Sequence, residues 1–366
     1  MIRAVTRSIL EFLPGYRVFK EKSLCSIFAI FFYLCLIVVS TRFERLRELT
    51  AGGPRGDMLS AVSTMGALAI LYVGAVFCPS LVARRNGSGS RLASRFSANW
   101  LAVAGLCLIL AAVLAAILGP FLAPYDPVGG SGDFLERYAA PSAAHLMGTD
   151  KFGRDVFSRV IYGARASLTI GFAAVAVATL IGILLGGVAG YAGGWLDEIV
   201  MRAADGLLAF PRLLIVILLV AFFSNAYGLL IVAIGCTSWM GIARVIRAEI
   251  LKLKETEFFQ AAVATGAGRS RILWKHLLPN AVAPVIVAAT LQVGGVILLE
   301  STLSFLGLGV QPPAPSWGNM VLEGREALLG AWWVSAFPGL AIAISVVAFN
   351  LLGDGLRDAL EVKRTA

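Results

Sequence analysis

Charge is what this sequence has least of. Only 14% of its 366 residues are charged, 31 basic and 22 acidic. Eight stretches of 19 or more residues contain none: 23–41, 58–83, 96–125, 166–196, 213–243, 276–299, 301–322 and 327–353. They cover 210 residues, where even spacing would place about 30 charges. With 58% hydrophobic residues and a mean hydropathy of +0.82, the composition excludes a soluble globular enzyme and a disordered chain. A polytopic all-α membrane protein remains.

Other absences narrow the chemistry. There is no Gly-Lys dipeptide and so no phosphate-binding GxxxxGK[ST] loop. The two histidines, His145 and His276, form no HExxH pair, and no GxSxG elbow occurs. The five cysteines all lie in apolar stretches without a CxxC spacing, which reads as small buried hydrophobes rather than metal ligands or disulfides. No catalytic residue and no metal site is expected.

The net charge of +9 is a topology signal. Five basic residues precede the first apolar run, four fill 84–95 without an acid, and seven lie in 244–275 against three acids. Stretch 126–165 has five of each sign. No basic patch carries interleaved aromatics, so nucleic acid is excluded as a partner. A helix needs about 20 apolar residues to cross the hydrocarbon. Candidate spans are 23–41, 58–82, 99–119, 168–192, 281–300 and 331–352. Run 301–322 holds Pro312, Pro313 and Pro315 and reads as a loop or re-entrant segment.

Region 199–246 is one span or two, and parity decides. Two spans around a break at 224–228 return the basic 244–275 loop to the cytoplasm. The first, 203–223, then carries Asp205, Pro211 and Arg212 near its cytoplasmic end, where long side chains snorkel. The expectation is eight spans with both termini inside: an N-terminal hairpin over 1–90 and a six-span core over 91–366. The Gly/Ser/Arg-rich segment 84–98 is the linker between them.

Loop 250–280 is too apolar and too patterned for a solvated connector. Helix formers over 257–265 stop at Gly266 and Gly268, and a second short amphipathic helix over 269–277 is expected to end at Pro279. Two readings fit: a protrusion that another protein approaches across Ala261 and Ala262, or a helix pair lying on the membrane. On the opposite side, Thr149 or Asp150 reads as the N-cap of an amphipathic helix through Val156, Phe157, Val160, Ile161 and Ala164. It either docks or gates, or simply anchors the next span. Gly182, Gly186, Gly190 and Gly194 form a small-residue face for close helix packing. Glu300 ends an apolar span with no nearby base, and is either a pathway group facing a substrate ammonium or an interfacial carboxylate. Asp205 pairs with Arg202 or serves the pathway.

The chain resembles the permease subunits of bacterial binding-protein-dependent ABC importers. The family pattern E-A-A-x3-G-x9-I-x-L-P is matched by Gln260, Ala261, Ala262, Gly266, His276, Leu278 and Pro279, with Gln in place of Glu and His in place of Ile. Two further stretches resemble the C-subunit type of the dipeptide/oligopeptide (peptide/nickel) branch. One holds Gly148, Thr149, Asp150, Gly153, Arg154 and Asp155 and continues through Tyr162-Gly163-Ala164-Arg165. The other runs from Glu300, Ser301 and Ser304 to Trp317.

The resemblance covers about 95–360. It implies the type I importer permease fold in the bacterial cytoplasmic membrane. The 250–280 loop would be the coupling helix that docks on an ATPase. The implied partners are a second homologous permease, two ATP-binding subunits and an extracytoplasmic substrate-binding protein. ATP and Mg would sit on the ATPases, with no cofactor on this chain. Peptides are the implied cargo, with nickel chelates or antimicrobial peptides carried by close relatives. A secondary transporter driven by an ion gradient is the competing class; it needs mid-membrane ionisable groups, which the core spans hardly supply.

Overall fold

The computed structural model describes residues 95–129, 136–223, 227–266 and 268–360. The expected hairpin over 1–90, with spans 23–41 and 58–82, lies outside the described residues. Among those described there are helices and no named strand. They are α1 (Trp100–Leu122), α2 (Val156–Ala192), α3 (Gly194–Leu208), α4 (Arg212–Phe223), α5 (Tyr227–Cys236), α6 (Trp239–Lys254), α7 (Glu257–Ala264), α8 (Arg269–Phe305), α9 (Trp317–Gly324) and α10 (Trp333–Leu360).

Four of these, α1, α2, α8 and α10, are each long and apolar enough to cross a membrane. Two bent pairs, α3–α4 and α5–α6, bring the number to as many as six, the number expected for the core. In α1 the Asn99 side chain accepts from Ala102 N at 3.3 Å, capping a helix with no charge on any face. It packs on α10 at backbone contact: a Cβ on Gly105 would meet Ala348 O at 2.7 Å.

Helix α2 differs from its expected form. The cap is Asp155 rather than Thr149 or Asp150, with Asp155 accepting from Ser158 N at 2.7 Å. The helix then runs unbroken for 37 residues. No proline lies between Val156 and Ala192, so the expected amphipathic helix and the span fuse into one rod. At 1.5 Å per residue it is about 55 Å long, well over the ~30 Å of hydrocarbon, so it projects beyond the membrane. Gly182, Gly186 and Gly190 face α6, where added Cβ atoms would meet Ile242, Ala243 and Arg247. Gly194 does not join them; it opens α3 at φ +58° with nothing within 4 Å.

The expected straight span 203–223 is broken. α3 and α4 meet at 87° around Ala209-Phe210-Pro211, where the proline supplies no donor to continue the ladder. Arg212 does not snorkel toward an aqueous surface. Its guanidinium turns to the Ser238 hydroxyl at the α5–α6 junction. That junction bends 41° where Thr237 Oγ1 bonds back to Ala233 O at 2.8 Å and Ser238 Oγ to Ile234 O. Such back-bonding hydroxyls compete with the backbone ladder and bend helices.

Pro279 does not end a helix either. The chain runs from Arg269 to Phe305 without a break, through a π-helical turn at Ile272–Leu277. Leu278 N reaches back five residues to Leu273 O, and the Asn280 side chain donates to His276 O at 2.6 Å. The wider turn lets the helix continue past the proline, which supplies no N–H of its own. Run 301–322 divides in three: the end of α8, a loop over 306–316, and α9.

Candidate functional site

The residues singled out from the sequence gather at the two ends of the bundle. At the end where α2 finishes, the Lys254 ammonium donates to Tyr191 O at 3.1 Å and Gly190 O at 3.4 Å. A cation thus meets the free carbonyls of a helix C-terminus and ties α6 to α2. From there α7 steps out of the bundle, and none of its residues is buried. Phe259 packs on the cluster of Ile272, Leu273 and Leu277, and Phe258 meets His276 edge to face with ring centroids 5.7 Å apart. Gly266 sits at φ +74° with open space around it, so backbone conformation alone demands glycine there.

Gln260, Ala261 and Gly266 are exposed, with Ala262 and His276 half-buried. Pro279 is exposed too, while Leu278 is buried against α2 at Gly187. Phe258, Val263 and Trp274 are each about half exposed, among the exposed cations Arg269, Arg271 and Lys275. Apolar side chains standing out of a basic loop mark a surface that meets another protein or the membrane.

At the opposite end, Gly148 to Asp155 form a compact turn. Gly148 (φ +71°) fits under Trp333, whose Nε1 donates to Thr149 O at 3.2 Å. Gly153 holds a second positive φ of +72°. Asp150 accepts from Arg154 Nε and Arg159 Nη1, each at 2.7 Å. The same two guanidiniums reach Glu323 of α9, Arg154 at 2.7 Å and Arg159 at 3.2 Å. Two acids and two bases, nearly all buried, close a neutral network of the kind that is tolerated inside a protein only when every charge is paired. Burial pushes the Glu323 carboxyl above its usual range, against the pull of Arg154. His145 Nδ1 contacts Asp155 at 3.0 Å. An open cleft of about 750 Å³ lies beside the network, walled by Phe152, Pro312, Pro313 and Leu322 with Lys151 and Glu326.

Glu300 is fully buried. Its carboxylate accepts from Ser304 Oγ at 2.7 Å and lies 3.5 Å from Ser301 Oγ, and the Ser167 and Ser316 hydroxyls also turn to it. Ser304 Oγ in turn accepts from Val310 N at 3.2 Å, so the carboxylate organises the Pro/Gly loop. Trp317 completes the seam: its Nε1 donates to Val160 O at 2.9 Å and its backbone N to Ser167 Oγ at 3.4 Å. Asp205 pairs with Arg244 on α6, not with Arg202, whose partner is Glu198. It is 63% exposed, far from Glu300 in character.

The sequence reading missed Glu323, the acid that binds both arginines. Its signal was available: it is the first charge after the uncharged run 301–322. Ser167 and Ser316 were also missed, because a serine carries no signal until a carboxylate is placed beside it.

These features define a multi-pass helical membrane protein with an exposed basic loop at one end and a tied, neutral polar turn at the other. The family model for the inner membrane component of binding-protein-dependent transport systems matches residues 178–365. That for the N-terminal transmembrane domain of oligopeptide transport permease C matches 89–141. The dipeptide transport system permease protein DppC of Bacillus subtilis (strain 168) is 46% identical over 270 residues, 74% of this chain and 84% of that protein. The oligopeptide transport system permease protein OppC of the same organism is 43% identical over 269 residues, 74% and 88%. The glutathione transport system permease protein GsiD of Pectobacterium atrosepticum is 42% identical over 269 residues, 74% and 89%. The chain belongs to the inner membrane component family of binding-protein-dependent transport systems, and is a transport permease rather than an enzyme.

Proposed function

We propose that this chain is one of two permease subunits forming the pathway of an ATP-driven importer for di- and oligopeptides. The substrate class rests on the names of its relatives, which are dipeptide and oligopeptide permeases. Two cytoplasmic ATPases bind ATP and Mg, an extracytoplasmic binding protein delivers the peptide, and this chain binds no cofactor. The Lys254 end faces the cytoplasm and the Asp155 end faces outward, with both termini inside.

The observation that carries the reading is the position of α7. It stands free of the bundle, offers Phe258 and Val263 to a partner, and lies between α6 and the unbroken α8. An ATPase gripping α7 would pull on both. Gln260, where the family pattern has Glu, keeps a hydrogen-bonding side chain at the contact without its charge. The test is Gly266→Val, a β-branched residue at positive φ. Co-purification of the ATPases and peptide uptake are both expected to fall. If assembly and transport both persist, α7 is not the coupling element.

A further inference from the structure

Helix α2 carries two charges along its 37 residues, Arg159 and Arg165. Arg159 is spent on Asp150 and Glu323. Arg165 lies six residues further into the span, about 9 Å deeper. It is half-buried, makes no hydrogen bond or ion pair among the described residues, and its Nη2 is enclosed without a partner. Arg159 and Arg212 also leave one nitrogen each unmatched, but Arg159 holds Asp150 and Glu323 and Arg212 holds Ser238.

Two hydroxyl side chains lie near Arg165. Tyr227, 41% exposed, donates its hydroxyl to Ala166 O at 3.2 Å and also meets the Thr169 hydroxyl. Thr169 lies one turn on from Arg165 along the same helix face. Arg165 and Glu300 both lie within electrostatic reach of Tyr227, yet Glu300 is committed to its serines. An unpaired guanidinium facing lipid is too costly to keep, so this face borders a wet pathway or an anion. A guanidinium fork matches a carboxylate in two parallel hydrogen bonds.

We propose that Arg165, with Thr169 beside it, is a binding station in the outer half of the pathway for the C-terminal carboxylate of the transported peptide. This rests on the peptide-import reading and names the group by which the pathway holds its cargo. It also accounts for a cation that has no partner among the described residues.

The test uses the whole transporter in membrane vesicles, with the five native cysteines replaced and Thr169→Cys as a reporter. A membrane-impermeant thiosulfonate should label the reporter, and trialanine should slow the labelling. C-terminally amidated trialanine should not, and protection should vanish in Arg165→Gln. Separately, Arg165→Gln should raise the KM for trialanine uptake about tenfold, the size of one charge-assisted hydrogen bond, and Arg165→Lys should restore part of it. The proposal is overturned if the reporter is unreactive from either side, as it would be under a sister permease. It is also overturned if the amide protects equally, or if protection survives Arg165→Gln. A wild-type transporter that takes up no trialanine would instead sink the peptide-import reading, which these arms distinguish.

Discussion

Gly186 tests whether α2 and α6 are held at backbone distance. A Cβ there would lie 2.6 Å from Ala243 Cα and 2.6 Å from Ile246 Cγ2. Ordinary carbon contacts are about 3.5–4.0 Å, so Gly186→Ala must part the helices by about 1 Å. Neither neighbour can give way cheaply, since one is backbone and the other belongs to a fully buried side chain. Overpacking of this kind costs about 1–3 kcal/mol. Alanine returns up to about 1 kcal/mol through its better helix propensity. The net expectation is a loss of about 1–2 kcal/mol, read as a fall in Tm of about 2–4 °C per kcal/mol. Gly206→Ala in α3 is the control: nothing lies within 4 Å of its added Cβ, so it keeps only the propensity gain. Thermal unfolding of the purified complex in detergent, followed by intrinsic fluorescence, compares the two. If Gly186→Ala melts at or above the wild type, or no lower than Gly206→Ala, the close packing of α2 on α6 is not what this geometry implies.

Two further outcomes follow from the polar ends. Asp150→Ala leaves the buried guanidiniums of Arg154 and Arg159 facing Glu323 alone, and should cost about 3–5 kcal/mol in the same unfolding assay; a loss under about 1 kcal/mol would mean water reaches the network. Glu300→Leu strips the acceptor from Ser304 and should cost about 1–3 kcal/mol. It should also make the 306–316 loop a new site of limited proteolysis, and an unchanged digestion pattern would refute its role as the organiser of that loop.

The four long spans of the core could be read from charge spacing, because lipid tolerates almost no unpaired charge and leaves long uncharged runs as its imprint. Helix limits were harder. Hydropathy marks where a helix meets lipid, whereas α2 and α8 continue past it on hydrogen bonds that hydropathy does not register. Proline misled twice in opposite ways. Pro279 looked like a terminator, but the helix runs through it beside a π turn. Pro211 looked tolerable near a span end, yet the chain turns through 87° there. The loop around Gly266 was legible because a helix end needing positive φ calls for glycine. The Arg244 partner of Asp205 and the Ser167 neighbour of Glu300 were not, because each sits on another helix far away in sequence.

The unbroken run from Arg269 to Phe305 gives the molecule a lever. One end emerges directly from the exposed loop behind α7; the other carries Glu300, Ser301 and Ser304, which hold the far loop in place. A rod of 37 residues is about 55 Å long, so rocking it by about 10° about its middle swings each tip by about 5 Å. If α7 is gripped as proposed, a force applied there would reach the far loop by tilting of this helix. The π turn and Pro279 lie near the loop end of this helix, and Pro284 follows within it.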